Sequence, residues 1–454
     1  MSLIIWIKTP FSLVLRSQEI SFVFSRHGLG GTLKSLGVEL GKRGVASVTR
    51  NGAQITPLDA VFGKNLALTL SELGPTFIKL GQLLAQRPDW VGEVVSQELR
   101  ILFDRVPPIP FKRIEKILKS EWGKEKFKRS IKAIDRKPLA SASLSQTHRA
   151  TLADGRDVIL KVQKSGVERK VTLDLKLIEA LVAIIDPLHP KLNLKLAFSD
   201  FKQATLRELD YREEAKNIDR FQQNNRGFFS NSSVVFPSYE KTLLTAKVIV
   251  LEPMRGKKAS ELKSNSRLAK RAAFISASAV LEQIFEHGFF HADPHAGNLF
   301  FMEDSGKVGF IDLGLVGQLE EVDRIKFTRV MLAIVRRDRK ELAKSLYELG
   351  VPSKRSDFAK FESQIDAILD DVKKIGVKNI KINRVVDQLF RAAHENQIFI
   401  PNRYILMIRS CLMIDGVAKQ LDQKSSLAGI AGPILAKSLL RAYNPLNLLR
   451  SLSK

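Results

Sequence analysis

The chain has a single cysteine, Cys411, among its 454 residues. One thiol excludes a disulfide framework and suits a reducing compartment. Inside "YILMIRSCLMID" it reads as a small core residue rather than a reactive one. An uninterrupted apolar run of membrane-spanning length is also lacking. The N-terminal "MSLIIWIKTPFSLVLRSQEISFVF" is broken by Lys8, Pro10 and Arg16. No basic stretch precedes its apolar part, so it is a poor secretory signal. Near the other end, Ala428 to Leu440 is broken by Gly432-Pro433. Zinc-finger spacing, an RNA-recognition signature, internal repeats and low-complexity tracts are all missing.

Acidic side chains are in short supply: 48 Asp and Glu against 73 Lys and Arg leave a formal charge of +25. A chain this basic seeks a polyanion. With no nucleic-acid signature, the expected partner is an anionic membrane surface, and no nucleic acid is expected. Both termini suit a membrane. Trp6 and the N-terminal phenylalanines can enter an interface with the cations outside, and "SSLAGIAGPILAKSLLRAYNPLNLLRSLSK" is amphipathic and acid-free. Packing on the protein body is the competing reading for both ends, and a transit peptide is another for the first. The expected location is cytoplasmic, peripheral to the inner cell membrane, with an organelle as the alternative.

What is present is globular: 44% hydrophobic and 27% charged residues, in a chain long enough for two or three cores. A loose helical region runs to about Arg50. In "ALTLSELGPTFIKLGQLLAQRPDWV", Gly74-Pro75 breaks or starts a helix, and Phe77, Leu80, Leu83 and Leu84 form an apolar stripe. The prolines of "DRVPPIP" end that unit. "SQTHRATLADGRDVILKVQ" reads as two strands around an Asp154-Gly155 turn. "SVVFPSYE" and "TAKVIVLEPM" read as further strands, with a helical stretch from about Gly166 to Asn224 between the two groups. Past Gly256, Phe274, Ala277, Leu281, Ile284 and Phe285 recur at helical spacing. "NLFFMEDSGKVGFIDLG" reads as a hairpin turning at Ser305-Gly306, and the remainder to about Leu421 is helical.

The chemistry concentrates in "GFFHADPHAGNLFF". His287, His291 and His295 are four residues apart and would align on one helix. Pro294 forces Asp293 out of the helical region, which disfavours a zinc site on such a helix. Asp293 and Asn298 offer a better reading. They are five positions apart, as are the Asp and Asn of a kinase catalytic loop, where the Asp orients the attacking hydroxyl and the Asn holds magnesium. Asp312 follows an apolar strand in "IDLG", the place of the kinase metal-chelating Asp. One Asp and one Asn oxygen suffice for Mg²⁺, which keeps several waters. Gly297 and Gly314 are expected to permit the tight backbone this needs. Lys161, in the strand "DVILKVQ", takes the place of the lysine that contacts the phosphates. Read singly, His291 is a loop brace, Lys161 a solvated lysine and "IDLG" a strand end. The three elements in order, each in its expected context, point to phosphoryl transfer. No glycine-rich loop precedes Lys161; "PLASASLSQTH" stands there instead.

"LGPTFIKLGQLLAQRPD", "LASASLSQTHRATLADGRDVILKVQ", "ELDYREEAKN", "HADPHAGNLFF" and "GFIDLGLVG" resemble the UbiB family of atypical kinases, tied to ubiquinone biosynthesis. The resemblance covers roughly Leu73 to Gly317. It implies an α+β, bilobal protein-kinase-like fold with an N-terminal helical extension carrying a Lys-x-Gly-Gln motif and a mostly helical C-lobe. The implied organisation is an amphipathic, helical region (1–60), the extension (61–130), an N-lobe with a helical insert (131–255), a C-lobe (256–425) and a basic amphipathic tail (426–454). The motif is Lys79 to Gln82, and the resemblance implies that it covers the site where a protein substrate would sit. From sequence alone Lys79, Gln82 and Gln86 form a polar helix face. The resemblance matches Ala140, Ser141, Ala142 and Ser143 to the family's alanine-rich nucleotide loop. It gives Glu208 and Asp210 to a Glu-x-Asp motif that meets Lys79, and Glu214 to the glutamate that pairs with Lys161. Spacing alone does not separate Glu214 from Glu213. Glu252 to Met254 match the hinge that holds adenine. Implied cofactors are ATP and Mg²⁺. Implied partners are quinone-precursor lipids and ubiquinone-biosynthesis enzymes. A small-molecule phosphotransferase is the alternative, since its catalytic loop is alike, but it lacks the Lys79–Gln82 extension.

Overall fold

The computed structural model describes residues 2–30, 57–85, 87–103, 107–188, 194–225, 233–375, 382–425 and 427–442. Gln86, the side chain of Trp6 and the tail beyond Ala442 lie outside the described part. The chain divides into two compact units, Met1–Tyr211 with Lys241–Val250, and Arg212–Glu240 with Leu251–Lys454.

The first unit contains helices α1 (Ser2–Arg26), α2 (Pro57–Leu73), α3 (Pro75–Leu84), α4 (Phe111–Trp122), α5 (Val167–Ile185) and α6 (Leu194–Arg207). Gly74-Pro75 does divide two helices: Gly74 caps α3, and Pro75 takes the first-turn position where its missing N–H is harmless. Leu70, Leu73, Phe77, Leu99, Val171 and Leu175 share one apolar core with Val23 of α1. From Ser12 onward, α1 therefore packs on the body of this unit, with Val14, Leu15 and Phe22 left exposed on its outer side. Inside this core sits a polar clamp. Arg16 donates to both carboxylate oxygens of Asp174, at 2.6 and 3.1 Å, and to the carbonyl of Leu73 at 2.7 Å. Thr76 donates to the same carboxylate at 2.8 Å. Asp174 is 0% exposed, so its charge is stable there only because these donors replace water.

The sheet of this unit runs β1 (Ile131–Ile134), β3 (Ser145–Leu152), β4 (Asp157–Gln163), β5 (Val248–Leu251), with β2 (Ala140–Ser141) also paired to β3. The β3–β4 hairpin closes around Asp154-Gly155 as the sequence suggests. Alternation along β4 buries Val158, Leu160 and Val162 against Ile114 and Leu118 of α4. The indole of Trp122 donates to Leu243 O at 2.8 Å and ties α4 to the strand β5 approach.

The second unit takes in α7 (Tyr211–Asn225) from Arg212 onward and holds α8 (Arg267–Glu282), which runs into a π-turn at Gln283–His287. Strands β6 (Phe289–His291), β7 (Leu299–Met302), β8 (Lys307–Phe310) and β9 (Val316–Gln318) follow. β7 and β8 form an antiparallel hairpin, and β8 also pairs in parallel with Val234–Val235. β6 pairs with β9, where Gly317 faces Phe290; a Cβ at Gly317 would lie 2.1 Å from the Phe290 ring, so only glycine lets this ring lie flat. Helices α9 (Glu321–Arg336), α10 (Arg339–Leu349), α11 (Phe358–Ile375), α12 (Ile382–Glu395), α13 (Asn402–Leu421) and α14 (Leu427–Ala442) complete the unit. Phe221 stacks on Phe236 and tilts against Phe289 at the centre of its core. Ala277, Leu281, Ile284 and Phe285 are buried as their spacing implies, but Phe274 is 59% exposed and lies on the outer side of α8. Among the described residues no helix is long and apolar enough to cross a membrane.

Candidate active site

In the first unit, strand register gathers the nucleotide-loop candidates. Ala140 pairs with Thr147, and Thr147 pairs with Lys161, so the three stand in one row across β2, β3 and β4. Paired residues share a sheet face, and Lys161 is therefore on the face opposite the buried Leu160 and Val162. Its ammonium lies 5.6 Å from the centre of the Tyr211 ring. Ala142 donates to Ser145 O at 2.9 Å, closing a tight turn that contains Ser143. This hairpin turn occupies the place of a glycine-rich loop without its glycines. The Ser141 hydroxyl donates to Pro107 O at 3.3 Å, and the Gln146 side chain bonds both backbone groups of Ile109, which pins the proline segment to the hairpin.

The Lys-x-Gly-Gln motif divides its labour. Lys79 forms an ion pair with Glu208. Gly81 lies under Leu102, where an added Cβ would be 2.2 Å from Leu102 Cδ1, so the helix can approach only without a side chain. Gln82 donates to Leu102 O at 2.8 Å. Gly and Gln thus seat the helix and Lys79 is directed to Glu208. Asp210 follows at the end of the same segment, half-buried, its N–H donating to Arg207 O at 3.2 Å.

In the second unit, the three histidines fall on three different elements: the π-turn, β6 and a short 3₁₀ turn. No group of three His, Cys, Asp or Glu is placed to hold a metal among the described residues. His291 is the brace of the loop. Its Nδ1 accepts from the N–H of Asp293 at 3.0 Å, and Nε2 donates to Ile311 O at 3.0 Å. Complete burial holds its imidazole below the usual histidine range, which keeps it neutral. His295 caps the 3₁₀ turn through Nδ1, accepting from Gly297 N at 3.0 Å. A side chain at Gly297 would meet that ring at 2.8 Å.

Asn298 is 6% exposed, and its Nδ2 donates to Asp293 O at 3.1 Å. With the nitrogen so engaged, Oδ1 is the group left to a metal. Ile311 N donates to Asn298 O at 3.0 Å, so the residue before Asp312 is bonded to the loop through both of its backbone polar groups. Asp312 itself has φ +56°. The left-handed residue is thus the aspartate, not Gly314 as its sequence position suggests; Gly314 has room for a side chain. Aspartate tolerates this conformation because its short carboxylate can bond locally. A Cβ built at Gly314 would lie 3.8 Å from both Asp312 Oδ1 and Glu214 Oε2, so the two carboxylates flank one point. Burial also separates the two adjacent glutamates: Glu214 is 4% exposed, whereas Glu213 turns outward to Lys216 at 2.6 Å. Glu252 donates its N–H to Ser238 O at 2.9 Å and accepts from the Ser238 hydroxyl at 2.6 Å, while Met254 packs beside Gly309. Cys411 is half-buried, and burial together with Asp415 pushes its thiol up to about 12, consistent with a packing role.

One residue escaped the sequence reading. Arg409 donates to Asp293 Oδ1 at 2.8 Å from 116 positions away. Its neighbour Ser410 donates to His291 O at 2.7 Å. The available signal was a lone cation inside the apolar "YILMIRSCLMID".

Residues 101–346 match the family model of the ABC1 atypical kinase-like domain, and residues 365–426 match the UbiB helical domain. A chloroplastic protein of Arabidopsis thaliana named ACTIVITY OF BC1 COMPLEX KINASE 1 is 33% identical over 399 residues, 86% of this chain and 57% of its own length. An uncharacterized protein of Clostridium pasteurianum is 31% identical over 432 residues, 92% of this chain and 76% of its own. A probable protein kinase UbiB of Xylella fastidiosa is 28% identical over 403 residues, 86% of this chain and 72% of its own. The chain thus spans little more than half the length of the Arabidopsis relative. Among solved structures, the Rv3197–erythromycin complex from Mycobacterium tuberculosis aligns at a TM-score of 0.48 and 20% identity, covering 76% of this chain and 90% of that one.

Proposed function

We propose that this chain, which belongs to the family of ABC1 atypical kinases, binds ATP with Mg²⁺ and works at an anionic membrane surface in support of quinone-lipid biosynthesis. The observation that carries the nucleotide reading is the bonding of Asn298 and Ile311, which engages the Asn298 amide nitrogen and ties its backbone to the strand end that carries Asp312. Asn298 Oδ1 and the Asp312 carboxylate are hard oxygen donors of the kind magnesium takes, and the remaining ligands are waters and phosphate. The metal, when bound, neutralises phosphate charge. The family resemblance gives the phosphates to Lys161 and to Ala140 to Ser143 of the first unit, and adenine to the backbone of Glu252 and Met254 of the second. Asp293 orients the attacking group, a water or a hydroxyl. As its oxygen bonds to the γ-phosphorus, the bond to the ADP oxygen breaks, ADP leaves and the proton passes to Asp293. Lys79 and Glu208 gate access. The membrane reading draws on the charge of +25 and the exposed Val14, Leu15 and Phe22 of α1.

Thermal unfolding tests the site. Mg²⁺-ATP at a hundredfold excess over its dissociation constant should stabilise the protein by about 2.7 kcal/mol, and Asp312→Asn should reduce that shift. No shift with the wild type overturns the reading. Hydrolysis measured with and without vesicles containing anionic lipid tests the membrane part; turnover indifferent to vesicles, with no co-sedimentation, overturns that part alone.

A further inference from the structure

The described fold of the second unit brings its C-terminal helices to the loop that carries Asp293. Helix α13 lies in the segment that matches the UbiB helical domain, whereas Asp293 lies in the segment that matches the kinase-like domain. Two successive residues of α13 grip the loop: the Arg409 guanidinium on Asp293 Oδ1 at 2.8 Å and the Ser410 hydroxyl on His291 O at 2.7 Å. Ser410 is fully buried, while Arg409 and Asp293 are 16% and 28% exposed, so an interior hydrogen bond anchors the helix beside a half-buried ion pair.

We infer that Arg409 is a positioning residue for the reaction, acting through Asp293, and that the helical domain completes the active site rather than merely extending the fold. The inference rests on the nucleotide reading above. A carboxylate on a loop turns freely about its terminal torsion, which is broad and roughly two-fold. Three contacts fix the backbone of this loop: His291 on Asp293 N, and Asn298 Nδ2 and His295 N on Asp293 O. None of them fixes the carboxylate plane. The guanidinium does. A rigid, planar donor on Oδ1 holds the carboxylate in one orientation and leaves Oδ2 as the oxygen that meets the attacking group. Small misplacements of such a group cost large factors in rate, so the effect belongs in kcat rather than in nucleotide binding.

The test compares wild type with Arg409→Gln and Arg409→Lys, using Mg²⁺-ATP as the probe. Each protein is assayed for apo melting temperature, for the nucleotide-induced shift, and for kcat and KM of hydrolysis. The expected result for Arg409→Gln is a tenfold or larger fall in kcat, with KM and the nucleotide shift within twofold of wild type. Arg409→Lys, which keeps the charge but not the fork, should recover part of kcat. If Arg409→Gln keeps kcat within twofold while wild type and variant both bind nucleotide, the inference is overturned and the nucleotide reading stands. If Arg409→Gln loses nucleotide binding and kcat together, and Arg409→Lys recovers neither, the residue is structural and the inference is overturned. A wild type without a nucleotide shift overturns the underlying reading, and the inference with it.

Discussion

The side-chain amide of Asn298 donates to the backbone carbonyl of Asp293 at 3.1 Å. Asn298→Asp replaces that donor with an acceptor and sets two oxygens against each other in a site only 6% exposed. Asp293 O keeps the His295 N–H, but the new carboxylate faces it with no hydrogen between them, and an unmet acceptor in such a site costs about 1–3 kcal/mol. The apo protein should therefore melt lower than wild type, although the substitution adds a metal-binding charge. Melting curves without nucleotide check this; an unchanged apo midpoint would contradict it.

Lys79 and Glu208 are 14% and 24% exposed, so their ion pair still meets water. Removing such a pair costs roughly 0.2–1 kcal/mol. Lys79→Ala should consequently melt close to wild type while exchanging nucleotide faster, as expected of a gate. Stopped-flow release of a fluorescent nucleotide separates the two effects, and equal release rates would show that the pair gates nothing.

Arg16 and Asp174 behave differently because both are interior, 5% and 0% exposed. Arg16→Ala strands a buried carboxylate and should cost about 3–5 kcal/mol. The double variant Arg16→Met with Asp174→Leu removes both charges and should recover most of that loss. Denaturant midpoints of wild type, Arg16→Met, Asp174→Leu and the double variant give the comparison. Additive losses would mean that the clamp is not a unit.

His148 is 0% exposed; it donates from Nδ1 to Asp135 O at 2.7 Å and contacts the Gln146 amide through Nε2 at 3.0 Å. Burial holds its pKa below the ordinary value of 6.5, against a smaller opposing pull from the Asp135 carbonyl and charge. The unfolded chain thus takes up a proton near pH 6.5 that the folded one refuses. Stability is complete above that pH and falls as the pH drops through it toward the lower folded value. His291 acts in the same sense. Between pH 7.5 and 5.5 the melting point should fall, and fall less steeply in His148→Gln. Parallel curves for the two proteins would refute the assignment.

The sequence carried local chemistry well. The Asp154-Gly155 turn, the break at Gly74-Pro75, the hairpin at Ser305-Gly306 and the alternation around Lys161 all depend on neighbours in the chain, and each is found where expected. Long-range relations were harder to read. Glu214 differs from Glu213 only by which side of α7 is buried, and that depends on distant packing. Phe274 fits the helical period yet faces outward, because a period fixes a stripe and not its width. Arg409 reaches Asp293 across 116 residues, a distance no spacing rule covers.

The left-handed backbone at Asp312, φ +56°, limits how this lineage can change. Asparagine and glycine sit in that conformation with little strain, whereas alanine or valine costs about 1–2 kcal/mol or more. Both tolerated residues are a single base away from an aspartate codon. A duplicated gene can therefore lose this carboxylate, the proposed metal donor, in one mutational step and still encode a folded protein. Variants with Asn or Gly at this position should therefore fold like the parent chain, with the left-handed turn kept and the carboxylate gone.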